Sequence, residues 1–363
     1  MAELLKHRYT NEYIQNLASV VQEHYLEFAV EEFCNAVLDG GWADRELKDR
    51  MHHIAICLQQ AIKLDYPDSI ELLKKVAPEF GGFGAMIFPD FVETFGMDHW
   101  QVSISALEYF TQFSSSEFSV RPFIIQDSKR MMKQMLAWSL HEDEHVRRLA
   151  SEGCRPRLPW AMALPEFKRS PDAIMPILEN LKQDPSLYVR RSVANNLNDI
   201  AKDNPQVTLD SAKSWIGKHP DTDWLVKHAS RTLLKKGDPQ ALALFGFSNQ
   251  NSVVQSIELS RDTLSIGESL TFSFEVKSEQ GELGKTRIEY AIDFMKSNGK
   301  LSRKVFKVSE GEIGSDTKPC TKKHSFKQLS TRVHYAGRHQ LNIIVNGIEK
   351  SSVGFELLAD ESG

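Results

Sequence analysis

Two spacings divide this chain. Over its first two-thirds apolar residues recur every three or four positions; beyond about residue 250 they alternate. Ile14, Leu17, Val20 and Val21 fall on one face of a helix, as do Leu47, Met51, Ile54 and Leu58. Gly40-Gly41, Tyr66-Pro67-Asp68 and the stretch from Pro78 through Gly84 read as turns between helices. Past residue 250, Leu270, Phe272, Phe274 and Val276 alternate with polar residues, and so do Ile288, Tyr290, Ile292 and Phe294. Leu341, Ile343 and Val345, then Val353, Phe355 and Leu357, continue the pattern. Asn298-Gly299 and Asn346-Gly347 mark hairpins, because both residue types tolerate positive φ.

A repeat emerges within the helical part. His145-Val146-Arg147-Arg148 returns as Tyr188-Val189-Arg190-Arg191 and, more loosely, as Leu225-Val226-Lys227-His228, at offsets of 43 and 37 residues. These offsets suit HEAT-type helical pairs. Polar turns such as Asp184-Pro185-Ser186 and His219-Pro220-Asp221 come before the copies. Stacked pairs bury their apolar stripes against neighbours and leave a concave wall of second helices. The expected fold is therefore α + β and multidomain: an all-α HEAT-like repeat solenoid over 1–247, then an immunoglobulin-like β-sandwich over 251–363. About seven short strands in ~110 residues carry the second assignment. No tyrosine corner or Cys–Trp–Cys signature supports it further.

Composition narrows the class without choosing a function. The chain has 363 residues, 41% of them hydrophobic and 26% charged, the values of an ordinary globular protein. Cys34, Cys57, Cys154 and Cys320 lie far apart, which is neither a zinc cluster nor a disulfide framework and suits a reducing compartment. The N-terminus lacks an apolar signal segment, and no apolar run reaches the ~20 residues of a spanning helix. A cytoplasmic, monomeric protein is expected, with no cofactor or metal.

Charge is unevenly placed. The net charge is −5, yet residues 1–95 hold 16 acidic against 8 basic side chains. Residues 145–169 hold six basic against two acidic, and residues 296–338 hold 11 against three. Such segregation suits an anionic partner, although a solvated basic face explains it equally.

Three constellations carry possible chemistry. His141-Glu142-Asp143-Glu144-His145 is a literal HExxH, which on a mid-helix segment would bind zinc. Its alignment with the turn before Tyr188 argues against that, and acids ahead of a helix suit its dipole. Arg148, Glu152 and Arg155 are spaced along one helical face, and Arg157-Leu158-Pro159-Trp160 leaves it after Pro156. The next repeat offers Arg191, Asn195 and Asn198, the third His228 and Thr232. An intra-helix ion pair, worth only ~0.3–0.5 kcal/mol, accounts for Arg148 and Glu152 but not for the tryptophan beside two further arginines. Ser114 and Glu117 fit a capping box, and local spacing alone favours that structural role.

The segment Ser116-Glu117-Phe118-Ser119-Val120-Arg121-Pro122-Phe123 resembles the SEFxxRPF motif of the AlkC branch of HEAT-repeat alkylbase DNA glycosylases. Arg148 through Trp160, with its Glu152-Gly153-Cys154-Arg155-Pro156-Arg157-Leu158-Pro159-Trp160 ending, resembles that branch's second signature. Ser115-Ser116 stands where the family often has Thr-Ser. The resemblance extends over the helical body and into the immunoglobulin-like tail. It implies excision of cationic bases, such as 3-methylcytosine and 3-methyladenine, from duplex DNA without base flipping. Glu117 and Glu152 would stabilise positive charge growing on the deoxyribose, and Trp160 would add cation–π stabilisation. Arg121, Arg148, Arg155, Arg157, Arg191 and Asn195 would meet DNA along the wall. Lys300, Arg303, Lys304, Lys322, Lys323 and Arg332 would do so from the tail. The alternative is a non-catalytic HEAT scaffold that binds protein or nucleic-acid partners.

Overall fold

The computed structural model describes residues 5–247, 252–328 and 333–359. The chain divides into two compact units, Met1–Ala229 and Ser230–Gly363.

The first unit is helical. In Asn11–His24 the apolar stripe of Ile14, Leu17, Val20 and Val21 is buried, and the Thr10 side chain caps the start by accepting from the Tyr13 amide at 3.1 Å. In Leu47–Ile62, Met51, Ile54 and Leu58 are likewise buried. Tyr66-Pro67-Asp68 is not a turn, as its composition suggests, but the first turn of the Tyr66–Val76 helix. Asp65 caps that helix by accepting from the Asp68 amide at 3.1 Å. Pro67 is tolerated there because first-turn amides have no helical partner.

The repeats stack through one recurring contact. Arg147 donates to the carbonyls of His141 and Glu142 in its own turn and pairs with Asp184 of the next turn at 2.6 Å. Arg190 repeats this, donating to the carbonyls of Asp184 and Pro185 and pairing with Asp221 at 3.0 Å. The helices bearing these arginines, Glu144–Glu152 and Leu187–Asp203, pack side by side, and Leu187–Asp203 packs in turn on Pro220–Ala229. The third polar pair read from sequence falls in two separate helices. His228 closes Pro220–Ala229, whereas Thr232 lies in a separate helix, Arg231–Lys236, within the second unit.

The strands of the second unit are β1 (Ser252–Leu259), β2 (Thr263–Ser265), β3 (Ser269–Ser278), β4 (Gly284–Met295), β5 (Leu301–Ile313), β6 (Thr317–Ser325), β7 (Gly337–Val345) and β8 (Ile348–Leu358). They form a three-stranded sheet, β1-β3-β6, and a five-stranded sheet, β2-β8-β7-β4-β5. Pairing is antiparallel except between β2 and β8. The alternating residues of β3, β4, β7 and β8 fill the core between the sheets. Asn346 and Gly347 take φ of 46° and 78° in the two-residue turn joining β7 to β8. Strict alternation fails in β4, where Arg287, Glu289 and Asp293 are buried too. They are paired: Arg287 with Glu289 and Glu310, Asp293 with Arg303.

Candidate active site

Glu117 lies in the connection between Trp100–Phe110 and Val120–Gln126. The expected capping box is absent. The Ser114 hydroxyl donates instead to the Gly82 carbonyl at 2.7 Å, and the helix starts at Val120, three residues past Glu117. Released from capping, the Glu117 carboxylate accepts from the Ser115 hydroxyl at 2.8 Å and pairs with Arg148. Both contacts fall on Oε2.

Arg148 joins the two acids. Besides Glu117 it reaches Glu152 at 3.5 Å and donates to Ser115 at 2.7 Å, with its guanidinium over the Tyr188 ring at 5.2 Å. Burial alone would lower its pKa, but the charges of Glu152 and Glu117 outweigh burial and raise it. Glu152 is only 5% exposed. Its Oε1 accepts from Arg155 at 2.6 Å and its Oε2 from the Ser192 hydroxyl at 2.6 Å. Arg155 also binds Asp199 at 2.9 Å, and Asp199 holds Lys202 at 2.8 Å. Arg155 too has its pKa raised: Glu152 and Asp199 overcome the opposing effect of burial.

These groups line a pocket of about 580 Å³. Its polar lining includes Glu117, Glu152, Arg148, Arg155 and Ser115, and its aromatic lining Phe83, Phe113, Phe118, Trp160 and Tyr188. Trp160 is 65% exposed and holds φ at 62°, a left-handed backbone that costs a non-glycine residue roughly 1–2 kcal/mol. The surrounding turn keeps it there. Ala161 N bonds the Leu158 carbonyl at 3.3 Å, and Leu164 N the Pro156 carbonyl at 3.2 Å.

Three arginines expected to grip phosphate are engaged inside the protein. Arg121 is 0% exposed. Its Nε donates to the Met162 carbonyl at 2.8 Å, and its Nη1 to those of Gly153 and Arg155 at 2.8 and 2.9 Å. Burial pulls its pKa down to about 10. It fastens the turn that presents Trp160, and offers DNA no face. Arg155 is buried against Glu152 and Asp199, and Arg148 clamps the two carboxylates. Arg157 is more open, although both ends of Asp203 bind it at 2.9 and 2.6 Å. Arg191 is exposed and Asn195 half-buried, whereas Asn198 is buried. From the same helix Ser192, Asn196 and Asp199 reach Ser151, Glu152 and Arg155.

In the second unit Lys300, Lys304 and Lys323 are exposed and Lys322 is half-buried. They lie at or in β5 and β6, each the edge strand of its sheet. Arg303 is internally balanced, bound by Asp293 at 2.8 and 2.9 Å and by Glu349 at 2.8 Å. Arg332 lies outside the described residues.

The HExxH run does not form a helical pair of ligands. Asp143 caps the helix that begins at Glu144, accepting from the amides of His145 and Val146 at 2.8 and 3.2 Å. His141 therefore lies outside the helix. Among the described residues no cluster of three or more metal-ligating side chains occurs. His145 instead lines the pocket, edge-on to Tyr188 at 5.6 Å. Behind the site Cys154 is wholly buried, taking a bond from Asn196 at 3.4 Å, and burial pushes its thiol up to about 12.

Sequence reasoning passed over Asp199, Ser192, Ser115, Tyr188 and Phe83. Ser192, Asn196 and Asp199 follow the i, i+4, i+7 spacing of a helical face, so that much was visible. Tyr188 carried a signal as the repeat counterpart of His145. Ser115 stood at a motif position without a role of its own, and Phe83 carried no signal, since tertiary packing brings it in.

Residues 253–359 match the family model described as "Uncharacterised protein YhaZ, C-terminal Ig-like domain", and residues 174–203 match the HEAT repeat. The chain is 48% identical over 355 residues to the uncharacterized protein YhaZ of Bacillus subtilis (strain 168), covering 97% of this chain and 99% of that one. Among solved structures it is similar to the Pseudomonas fluorescens alkylpurine DNA glycosylase AlkC bound to DNA containing an abasic site analog. That match has 37% identity and a TM-score of 0.95, with 98% of this chain and 100% of that chain covered.

Proposed function

Because this chain belongs to the AlkC branch of the HEAT-like-repeat alkylbase DNA glycosylases, we propose that it hydrolyses the N-glycosidic bond of cationic alkylated bases in duplex DNA. The substrates are 3-methylcytosine and 3-methyladenine, and the lesion is not flipped into a base pocket. One observation carries this reading: Glu117 and Glu152 share the Arg148 guanidinium in a pocket whose rim carries the exposed Trp160.

A base methylated to a cation leaves with the bonding electron pair as a neutral molecule, so no acid is needed to protonate it. The sugar is left electron-poor at C1′. The described contacts of Glu117 are all on Oε2, so Oε1 is the oxygen suited to face that carbon and to take a proton from the attacking water. Glu152 has both oxygens occupied and acts by holding Arg148 and Arg155. Trp160 adds its π-face to the cationic centre.

The direct test is incubation of the purified protein with methylated duplex DNA and analysis of the bases set free. Release of 3-methylcytosine and 3-methyladenine is expected; absence of both ends the proposal. Among the wall arginines, Arg191 is the one suited to phosphate contact. Arg191→Ala is expected to flatten the slope of log K against log salt by ~0.9. An unchanged slope places Arg191 off the DNA.

A further inference from the structure

The Gly81-Gly82-Phe83-Gly84 stretch reads from sequence as a plain connection, yet Gly82 and Phe83 line the pocket that holds Glu117. Three successive carbonyls of this loop are each held by a side-chain hydroxyl. Gly82 O accepts from Ser114 at 2.7 Å, Phe83 O from Tyr9 at 2.8 Å, and Gly84 O from Tyr13 at 2.7 Å. Gly82 N also donates to the Phe113 carbonyl at 3.1 Å. The loop is thus bonded twice to Phe113 and Ser114, close before Glu117 in the chain.

The glycines are needed for this arrangement. Gly82 has φ at 59°, and a Cβ on Gly84 would lie 2.8 Å from the Tyr13 ring, displacing one of the donors. Both tyrosines donate as neutral phenols, and burial raises the pKa of each further. Glycine-rich loops are ordinarily mobile; this one is fixed at consecutive residues. The ring it carries is nonetheless left 39% exposed, so the fixing is not explained by burial of Phe83. An immobilised aromatic ring in the same pocket as two carboxylates suits a cation.

Building on the glycosylase reading above, we propose that Phe83 is a specificity-determining contact with the lesion nucleotide that favours a positively charged sugar–base unit over a neutral one. Tyr9, Tyr13 and Ser114 are its positioning residues.

The experiment compares full-length protein on two duplexes that differ at one nucleotide. One carries a positively charged pyrrolidine abasic analogue, the other its neutral tetrahydrofuran counterpart. The wild type is expected to prefer the charged duplex, and Phe83→Leu to reduce that preference by about three- to thirtyfold, the range of a cation–π contact. Phe83→Trp should retain it. Tyr13→Phe keeps the Phe83 ring but frees the Gly84 carbonyl, and is expected to lower the preference by a smaller factor. That variant decides the matter if Phe83→Leu fails to fold. Equal wild-type affinity for the two duplexes overturns the proposal, as does a full preference in Phe83→Leu. Base release by the wild type separates the two levels: with release intact and selectivity unmoved, Phe83 alone is removed from the site. With no release, the parent reading falls and this inference with it.

Discussion

Glu117→Gln is expected to slow single-turnover base release by about 10²–10³-fold, the usual effect of removing one preorganised charge from a transition state. The substitution preserves shape, and the amide oxygen still accepts from Ser115 and Arg148. Arg148 keeps Glu152 as a counter-charge, so duplex affinity should hold and the melting temperature should fall only slightly while the chemical step fails. Glu152→Gln should behave differently. It removes charge from a carboxylate buried between Arg148 and Arg155, leaving two buried cations less compensated, so stability and rate should fall together. The comparison separates a group that faces the sugar from one that builds the site. Wild-type rates in Glu117→Gln would sink the assignment.

The largest effect on stability is expected from Arg121→Met. Met fills comparable space but leaves the carbonyls of Gly153, Arg155 and Met162 without their donor. The Gly153 and Arg155 acceptors are buried, and left unsatisfied they cost about 1–3 kcal/mol each, which gives a loss of about 2–5 kcal/mol. For a helical unit of this size the corresponding fall in melting temperature is about 10 °C, read by calorimetry. Arg121→Lys should recover little, because one ammonium cannot span three carbonyls as the planar fork does. The turn bearing Trp160 loses its fastening in both variants, so base release should drop even at temperatures where the protein remains folded. A melting temperature within 2 °C or so of wild type would contradict this account.

Arg121 also marks where sequence reading succeeds and where it stops. Its motif pointed to a segment that lines the pocket, and helical periodicity located buried faces such as Ile14, Leu17 and Val21. Strand alternation found the sandwich core, and Asn346-Gly347 found its turn. A positive charge in sequence, however, has no address. Arg121, Arg148 and Arg155 read as a basic stripe, but their partners are carbonyls and carboxylates up to 44 residues away, which only the folded chain assembles. The same limit hid the true role of Ser114, whose spacing to Glu117 mimics a cap while its hydroxyl reaches Gly82. Periodicity also cannot register a stripe more finely than one residue. Asp199 was missed beside Arg155 for that reason.

Cys154 has a consequence of another kind. Reagents that methylate DNA are electrophiles, and a cysteine thiolate ranks among the most reactive nucleophiles a protein can offer them. Here the sulfur belongs to the very segment that carries Glu152 and Arg155, yet it is enclosed, and burial keeps its proton on to about pH 12. At neutral pH almost none of it is thiolate, and it has no exposed surface to meet a reagent. The site is thereby insulated from the chemical insult whose products it is proposed to remove.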